Sequence, residues 1–190
     1  MANSDNAIGL KPVDHITGGA FESYFRPFKI ADGYTTDLFI HDPVALSSGY
    51  IVRGVAGSPV VGTFEGVEYT DASGRFVVSP YWPAGATYAD DGKMQVYFTS
   101  DPQILYDGQC DGSVAASKIG EGINLADTSE GSAYTGLSTQ ALSATTTGAT
   151  PGLGTVVGIP QGVYYGGEEN LPGDAYTIVR VRLTPQVPIA

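Results

Sequence analysis

Glycine and proline are spread along the whole chain and together make up 38 of its 190 residues. In a helix interior, glycine costs about 1 kcal/mol and proline about 3 kcal/mol relative to alanine. A helical bundle is therefore excluded. Leucine, isoleucine, valine and phenylalanine account for 45 of the 190 residues, which exceeds the roughly one fifth below which chains stay unfolded. The composition thus predicts a folded chain built from strands.

Runs of β-branched and aromatic residues, bounded by turn residues, predict strands along most of the chain. The Glu65–Gly66 pair interrupts the alternation of one run, which predicts a β-bulge. The sequence predicts an all-β fold, an antiparallel β-sandwich or barrel that is jelly-roll-like. The predicted strands are 49–56, 60–69, 75–78, 93–99 and 176–183, with a weaker edge strand at 25–30 because Pro27 lacks a ladder donor.

The chain divides by pattern into an arm and one domain. Residues 1–22 carry scattered apolar side chains with no sustained period, which predicts an extended N-terminal arm. Residues 23–190 are predicted to form a single β domain. Within it, residues 126–155 are rich in Ser, Thr, Ala and Gly and predict a variable exposed loop region or edge hairpin.

The charge is strongly acidic, with 9 basic against 20 acidic side chains and a net charge of -11. Binding to a polyphosphate needs several Lys or Arg contacts, so a nucleic-acid partner is excluded by the sign of the surface. The apolar runs, such as residues 51–56, are far shorter than the roughly 18 residues of a membrane span, and no membrane partner is predicted. The first residues lack a signal-peptide pattern, so synthesis in a cytoplasm is expected.

Three residues carry side chains that are reactive enough to be catalytic candidates. His15 and His41 are the two histidines, and no Gly-x-Ser-x-Gly elbow accompanies them. Both are interpreted as surface or capping histidines. Cys110 is the single cysteine and cannot form an intramolecular disulfide. Its acidic neighbours Asp107 and Asp111 would raise its pKa, so an inert thiol is predicted.

Several short motifs resemble known sites and fail at the decisive positions. Residues 107–112 have the first, fifth and sixth positions of a calcium loop, but Gln109 and Lys118 stand where ligands should be, so a turn is predicted. Residues 152–158 lack the dinucleotide-binding spacing and are interpreted as a Gly-rich loop leading into a strand. The acidic pairs at 90–91 and 168–169 are interpreted as solvated loops. The sequence therefore predicts no catalytic, cofactor or metal site.

Two clusters of aromatic residues stand out in Gly- and Pro-rich surroundings: Tyr81 with Trp82, and Tyr164 with Tyr165. Tyrosine and tryptophan are amphipathic and enriched at interfaces. The clusters are therefore candidate contact anchors or a sugar-stacking platform. Equally, they could cap the ends of a β-sandwich.

Five strings of residues resemble, in their order and spacing, head structural proteins of tailed bacteriophages. The resemblance is greatest to the small virion proteins that decorate or cement the capsid shell. It covers most of residues 6–106 and the final strand, and it is weak over 110–175. The strings are residues 6–13, 38–44, 62–69, 81–85 and 101–102.

The resemblance implies a non-catalytic protein on the capsid exterior of a virion, without a cofactor. Its implied partners are the major capsid protein and further copies of itself, often as a homotrimer. An apolar arm that reaches a neighbour would add avidity to many weak contacts. The residues predicted to form the capsid or subunit interface are Ile8, Leu10, Pro12, Val13, Tyr81, Trp82, Tyr164 and Tyr165.

A second hypothesis stays open at this point. The chain could be a receptor- or carbohydrate-binding module of a phage tail appendage, in which the two aromatic clusters contact the glycan. An enzyme such as a depolymerase is a third class, and the residues available for catalysis favour it least.

Overall fold

The computed structural model describes residues 3–20, 24–26, 28–126, 131–150, 152–163 and 169–184. Within these ranges the chain consists of strands and one 3-10 turn, Ala116–Lys118. The strands are β1 (Lys11–His15), β2 (Tyr24–Arg26), β3 (Leu38–Phe39), β4 (Pro43–Ser47), β5 (Tyr50–Arg53), β6 (Gly62–Thr70), β7 (Phe76–Ser79), β8 (Tyr81–Trp82), β9 (Gln95–Thr99), β10 (Ile104–Gln109), β11 (Gly122–Ile123), β12 (Gly131–Ser132), β13 (Leu137–Ser138), β14 (Gly154–Gly158), β15 (Gly162–Val163), β16 (Glu169–Asn170) and β17 (Ile178–Leu183).

Two antiparallel sheets organise the molecule. The first sheet has the order β1-β10-β17-β14-β11, and the second has the order β2-β9-β6-β4-β5 with β7 also paired to β6. Strands β1 and β10 are neighbours in the first sheet, although β2 to β9 lie between them in sequence. The second sheet is thus inserted between two paired strands of the first. The predicted all-β fold is confirmed and is consistent with a sandwich, while a jelly-roll strand order stays a prediction.

Each sheet covers its own hydrophobic cluster. The first cluster contains Tyr106, Val179 and Val181 from the first sheet, together with Leu10 and Leu142 from outside it. The second cluster lies against the second sheet, and its members are Ile30, Leu38, Val44, Ile51, Phe64, Val67, Tyr69, Trp82, Met94, Val96 and Phe98.

Strand β6 shows how the sequence produces this packing. The pairing of β6 with β9 shifts register between Phe64 and Gly66, so the bulge predicted at this place is present. A bulge inserts one extra residue and reverses the alternation beyond it. Phe64 and Val67 are therefore both fully buried in the second cluster, although they are three residues apart.

The N-terminal segment differs from the predicted extended arm. Residues 11–15 form the edge strand β1, and Leu10 is 1% exposed. A Cβ on Gly108 would lie 2.7 Å from Cδ2 of Leu10, so this glycine makes room for the leucine. Leu10 also donates its N–H to the carbonyl of His41 at 2.9 Å. Leu10 is therefore part of the core, while the edge strand β1 beside it is half-buried at most positions.

The Ser- and Thr-rich region 126–155 also differs from its prediction in part. Strands β12 and β13 form a two-stranded hairpin, as expected. Ser138 and Leu142, however, are at most 1% exposed, and β14 pairs with β17 inside the first sheet. Some of the described residues of this region are therefore packed into the domain, while others, such as Tyr134, are exposed. The prediction that residues 152–158 are a loop leading into a strand is wrong for most of the stretch, because Gly154–Gly158 is the strand β14 itself.

Candidate functional site

A chain of hydroxyl groups joins the two sheets. Tyr106 of β10 donates its O–H to Oγ1 of Thr99 at 2.9 Å, and the oxygens of Thr99 and Thr63 are 2.7 Å apart. Thr63 in turn donates to Oε1 of Glu65 at 3.0 Å. We call these four residues the polar junction. Tyr106 belongs to the first sheet and the other three residues to the second, so the Tyr106–Thr99 bond links the two sheets and the series ends on a carboxyl group.

Glu65 and His41 form a buried titratable pair at this junction. Oε2 of Glu65 lies 4.0 Å from Nε2 of His41, and their side chains are only 16% and 14% exposed. Burial raises the pKa of Glu65 to about 7, against a smaller lowering by its hydrogen bond from Thr63. The pKa of His41 is lowered to about 4, chiefly by burial; the backbone of Ile8 opposes this shift, and the charge of Lys11 makes a smaller contribution in the same direction as burial. Near pH 6 both groups are therefore neutral.

His41 is thus not the surface histidine that the sequence predicted. Its φ of 70° is unusual for a non-glycine residue. Its Nδ1 is buried and finds no hydrogen-bond partner among the described residues. His15 is also largely buried, with Nε2 3.1 Å from Oδ2 of Asp101.

Asp42, next to His41, is 1% exposed and holds the β12–β13 hairpin to the second sheet. Ser138 donates its hydroxyl to Oδ1 of Asp42 at 2.5 Å, and the N–H of Phe39 donates to Oδ2 at 2.9 Å. Burial raises the pKa of Asp42, and these hydrogen bonds oppose the shift. The hydroxyl of Ser138 is directed to the carboxylate of Asp42, so this contact stabilises the hairpin.

The residues predicted to form an interface have different positions. Trp82 is fully buried and packs edge-on against Tyr69, with ring centroids 5.0 Å apart. Trp82 and Leu10 are therefore core residues, and their prediction as interface anchors was wrong. Tyr81 is half-buried and stacks on Phe39 at 5.8 Å.

The remaining predicted interface residues belong to two groups. Ile8, Pro12 and Val13 are half-buried along the N-terminal segment and keep part of their surface exposed. Tyr164 and Tyr165 lie outside the described residues. The sequence-predicted residues therefore do not form one continuous surface in the described part of the chain.

Cys110 lies at the end of β10, in the segment that partly matches a calcium loop. Cys110 is 1% exposed, and burial raises the pKa of its thiol to about 12. The inert thiol is consistent with this burial. The turn predicted over residues 107–112 is wrong in its first half, since residues 104–109 form β10. Asp107 is buried there and accepts from Nε of Arg180 at 2.8 Å.

An exposed pair of apolar side chains on β7 was not predicted from the sequence. Phe76 is 53% exposed and Val78 is 68% exposed, and both lie on the same face of β7. Among the described strands, β7 pairs only with β6. We call these two residues the apolar edge. The available signal was that residues 76–78 are apolar at every position, so both faces of the strand carry apolar side chains.

In the described part of the chain, no cluster of three or more His, Cys, Asp or Glu side chains could hold a metal ion. The same residues include no helix with the length and hydropathy of a membrane span. Comparison with protein-family models, with curated proteins and with solved structures finds no match to this chain.

Proposed function

We propose that this chain is a virion structural protein that binds the outer surface of a tailed-phage capsid and stabilises the shell. Its partners are the major capsid protein and further copies of itself, as a homotrimer. The sequence resemblance to capsid decoration proteins suggests this role. An acidic β domain is compatible with it, because a net charge of -11 keeps the protein from competing for the packaged genome.

The apolar edge is the observation that carries the proposal. Phe76 and Val78 are adjacent on one face of a regular strand, so they present a fixed apolar surface to a partner. Burying a phenylalanine or valine side chain contributes about 1.5–3 kcal/mol. A contact of this size is modest for one copy, and many copies on one shell would act together.

The test is the addition of purified protein to heads that lack it. Adding the protein should raise the temperature at which heads release DNA, because a ligand that binds the assembled state stabilises that state. Moderate salt should weaken this effect only slightly, since the apolar edge carries no charge.

A double substitution at the apolar edge should weaken binding to heads. We expect F76T/V78T to lower the affinity at least about tenfold, the equivalent of 1.4 kcal/mol. Threonine keeps the strand propensity of β7, so the thermal midpoint of the free protein should change little. Quantitative cosedimentation with heads measures the affinity.

The matched control is V157T, which removes a 40% exposed valine from β14 of the first sheet. It should bind heads as the unchanged protein does. If F76T/V78T binds as well as V157T, the apolar edge is not the contact. If virions lacking the protein have normal heads and fail to adsorb to cells, a tail-appendage function replaces the proposal.

A further inference from the structure

A cleft of about 500 Å³ lies beside the N-terminal segment, and its described lining shares no residue with the polar junction or the apolar edge. This volume is within the roughly 300–1,000 Å³ of small-molecule sites. The exposed polar residues are Asp5, Asn6, Asp111 and Thr139. The full lining of described residues is Asp5, Asn6, Ala7, Asp111, Thr139, Ala141 and Tyr176.

Buried amide side chains hold the walls of this cleft in place. Gln109 is 7% exposed; its Oε1 accepts the N–H of Asn6 at 2.7 Å, and its Nε2 donates to the carbonyl of Ser4 at 2.8 Å. Asn3 donates to Oδ1 of the fully buried Asn170 at 2.8 Å. These bonds span more than 100 residues of sequence. They fix the N-terminal segment as a wall, which is the preorganisation that a binding site needs.

Tyr176 is the aromatic residue of the described lining, and it has an unusual backbone conformation. Its φ is 52°, and a bulky residue in this left-handed region costs about 1–3 kcal/mol. Its carbonyl accepts a hydrogen bond from Nδ2 of Asn3 at 3.2 Å. Strain of this kind persists where the surroundings impose it, and it concentrates at binding sites.

The chemistry of the lining fits a polyol. A sugar hydroxyl both donates and accepts, and the cleft offers carboxylate acceptors with an amide and hydroxyls that do both. The carbon-bound hydrogens of a sugar ring form an apolar face that suits a tyrosine and small alanines. A simple cation would use only the acceptors. The described lining holds two carboxylates and no Lys or Arg, so an acidic sugar would be repelled.

We propose that this cleft binds one neutral sugar residue of a glycan, with Tyr176, Asn6 and Asp111 as principal contacts. The site is separate from the surface proposed to contact the capsid. A decorated shell would then carry many weak glycan sites, which bind a cell surface together through avidity. The two proposals can succeed or fail independently.

The test uses the full chain labelled with nitrogen-15 and titrated with single compounds. The probes are glucose, galactose, mannose and N-acetylglucosamine as neutral sugars, glucuronic acid and N-acetylneuraminic acid as acidic sugars, and arginine as a cation. At least one neutral sugar should shift the amide signals of residues 5–7, 111, 139–141 and 176 in a saturable way. The dissociation constant should be about 1 mM, and the acidic sugars should bind more weakly.

Two substitutions connect the shifts to the cleft. Tyr176→Asn removes the ring and places a residue that tolerates positive φ, so it should fold normally and weaken binding about tenfold. In the unchanged protein, Oδ1 of Asp111 accepts the N–H of Ala144 at 2.7 Å, and the amide oxygen of Asp111→Asn can still accept it. This variant should weaken sugar binding to a similar degree. Asp37→Asn is the matched control, since Oδ1 of Asp37 accepts the N–H of Ala84 at the same distance, 2.7 Å, outside the cleft.

Three results would overturn the proposal. Neutral sugars could leave the signals of the cleft unchanged at millimolar concentrations, or arginine alone could shift them. Equal weakening of sugar binding by Asp37→Asn and Asp111→Asn would show that the carboxylate of Asp111 makes no specific contact with the sugar. Binding of each variant to heads, measured in parallel, separates a failure of the sugar site from a failure of capsid attachment.

Discussion

Replacing Gly62 by alanine is expected to destabilise the protein by more than about 4 kcal/mol, a loss that few single substitutions reach. A Cβ built on Gly62 would lie 1.4 Å from the carbonyl oxygen of Thr99 and 2.6 Å from its carbon. The obstacle is backbone of the neighbouring strand, so no side-chain rotation removes it. Relief requires β6 and β9 to separate, although Thr63 and Thr99 are paired there.

The effect should extend beyond one strand pair. Thr99 accepts from Tyr106 and contacts Thr63, so a displaced β9 also breaks the polar junction that joins the two sheets. We expect G62A to lose the cooperative unfolding transition seen by circular dichroism during urea titration, or to accumulate in insoluble form.

Gly74→Ala provides the matched control. Gly74 also has positive φ, at 85°, but no described atom lies within 4 Å of a Cβ built there. Its substitution should cost only the left-handed backbone penalty of about 1–2 kcal/mol. If G62A and G74A unfold at the same urea concentration, the tight approach of β6 and β9 is not essential to the fold.

The sequence was informative where local pattern determines structure. Val179, Val181 and Leu183 alternate with two arginines, and β17 buries the three apolar residues as predicted. Gly66 marked the bulge because a glycine inside a strand weakens regular pairing and favours a local irregularity. The high content of Gly and Pro argued against a helical bundle, and the runs of β-branched and aromatic residues then predicted the all-β class.

Local pattern failed where the partner of a residue is distant in sequence. Leu10 stands between Gly9 and Lys11 with no apolar period around it, and its burial depends on space left by Gly108. Trp82 lies in a Pro-rich stretch typical of an exposed loop, yet it packs on Tyr69 and Tyr88. Tertiary contacts decided these positions.

The candidate sites were difficult to predict for the same reason. The cleft takes its lining from four separate parts of the chain, near residues 5–7, 111, 139–141 and 176. No spacing rule connects them, because only the folded arrangement of the chain brings these segments together. The polar junction is similar, since Glu65 and Tyr106 belong to different sheets.

Single substitutions of the His41–Glu65 pair should change the pH dependence of stability in opposite directions. The pKa of Glu65 is about 7 in the folded chain and 4.5 in the unfolded chain. The stability that it contributes is therefore full below pH 4.5 and is lost as the pH rises to 7. The pKa of His41 is about 4 when folded and 6.5 when unfolded, so its contribution is full above pH 6.5 and is lost as the pH falls to 4.

Between pH 4.5 and 6.5 these two dependences cancel in the unchanged protein. In Glu65→Gln only the histidine of the pair still titrates. Relative to the unchanged protein, the free energy of unfolding of this variant should therefore rise with pH over this range. His41→Asn, which tolerates the positive φ, should make it fall over the same range. Each full change is about 3 kcal/mol, from shifts of roughly two and a half pKa units.

Urea unfolding at pH 4.5, 5.5 and 6.5 measures these slopes. The lowest pH equals the unfolded pKa of Glu65, and the highest equals that of His41. The other acidic groups titrate equally in every variant, so they cancel when each variant is compared with the unchanged protein. The double variant E65Q/H41N is the control and should be parallel to the unchanged protein. Parallel curves for both single variants would mean that the pair is not neutral when folded. Opposite slopes would mean that the buried carboxyl and imidazole keep the junction between the sheets insensitive to pH, because each group offsets the proton uptake of the other.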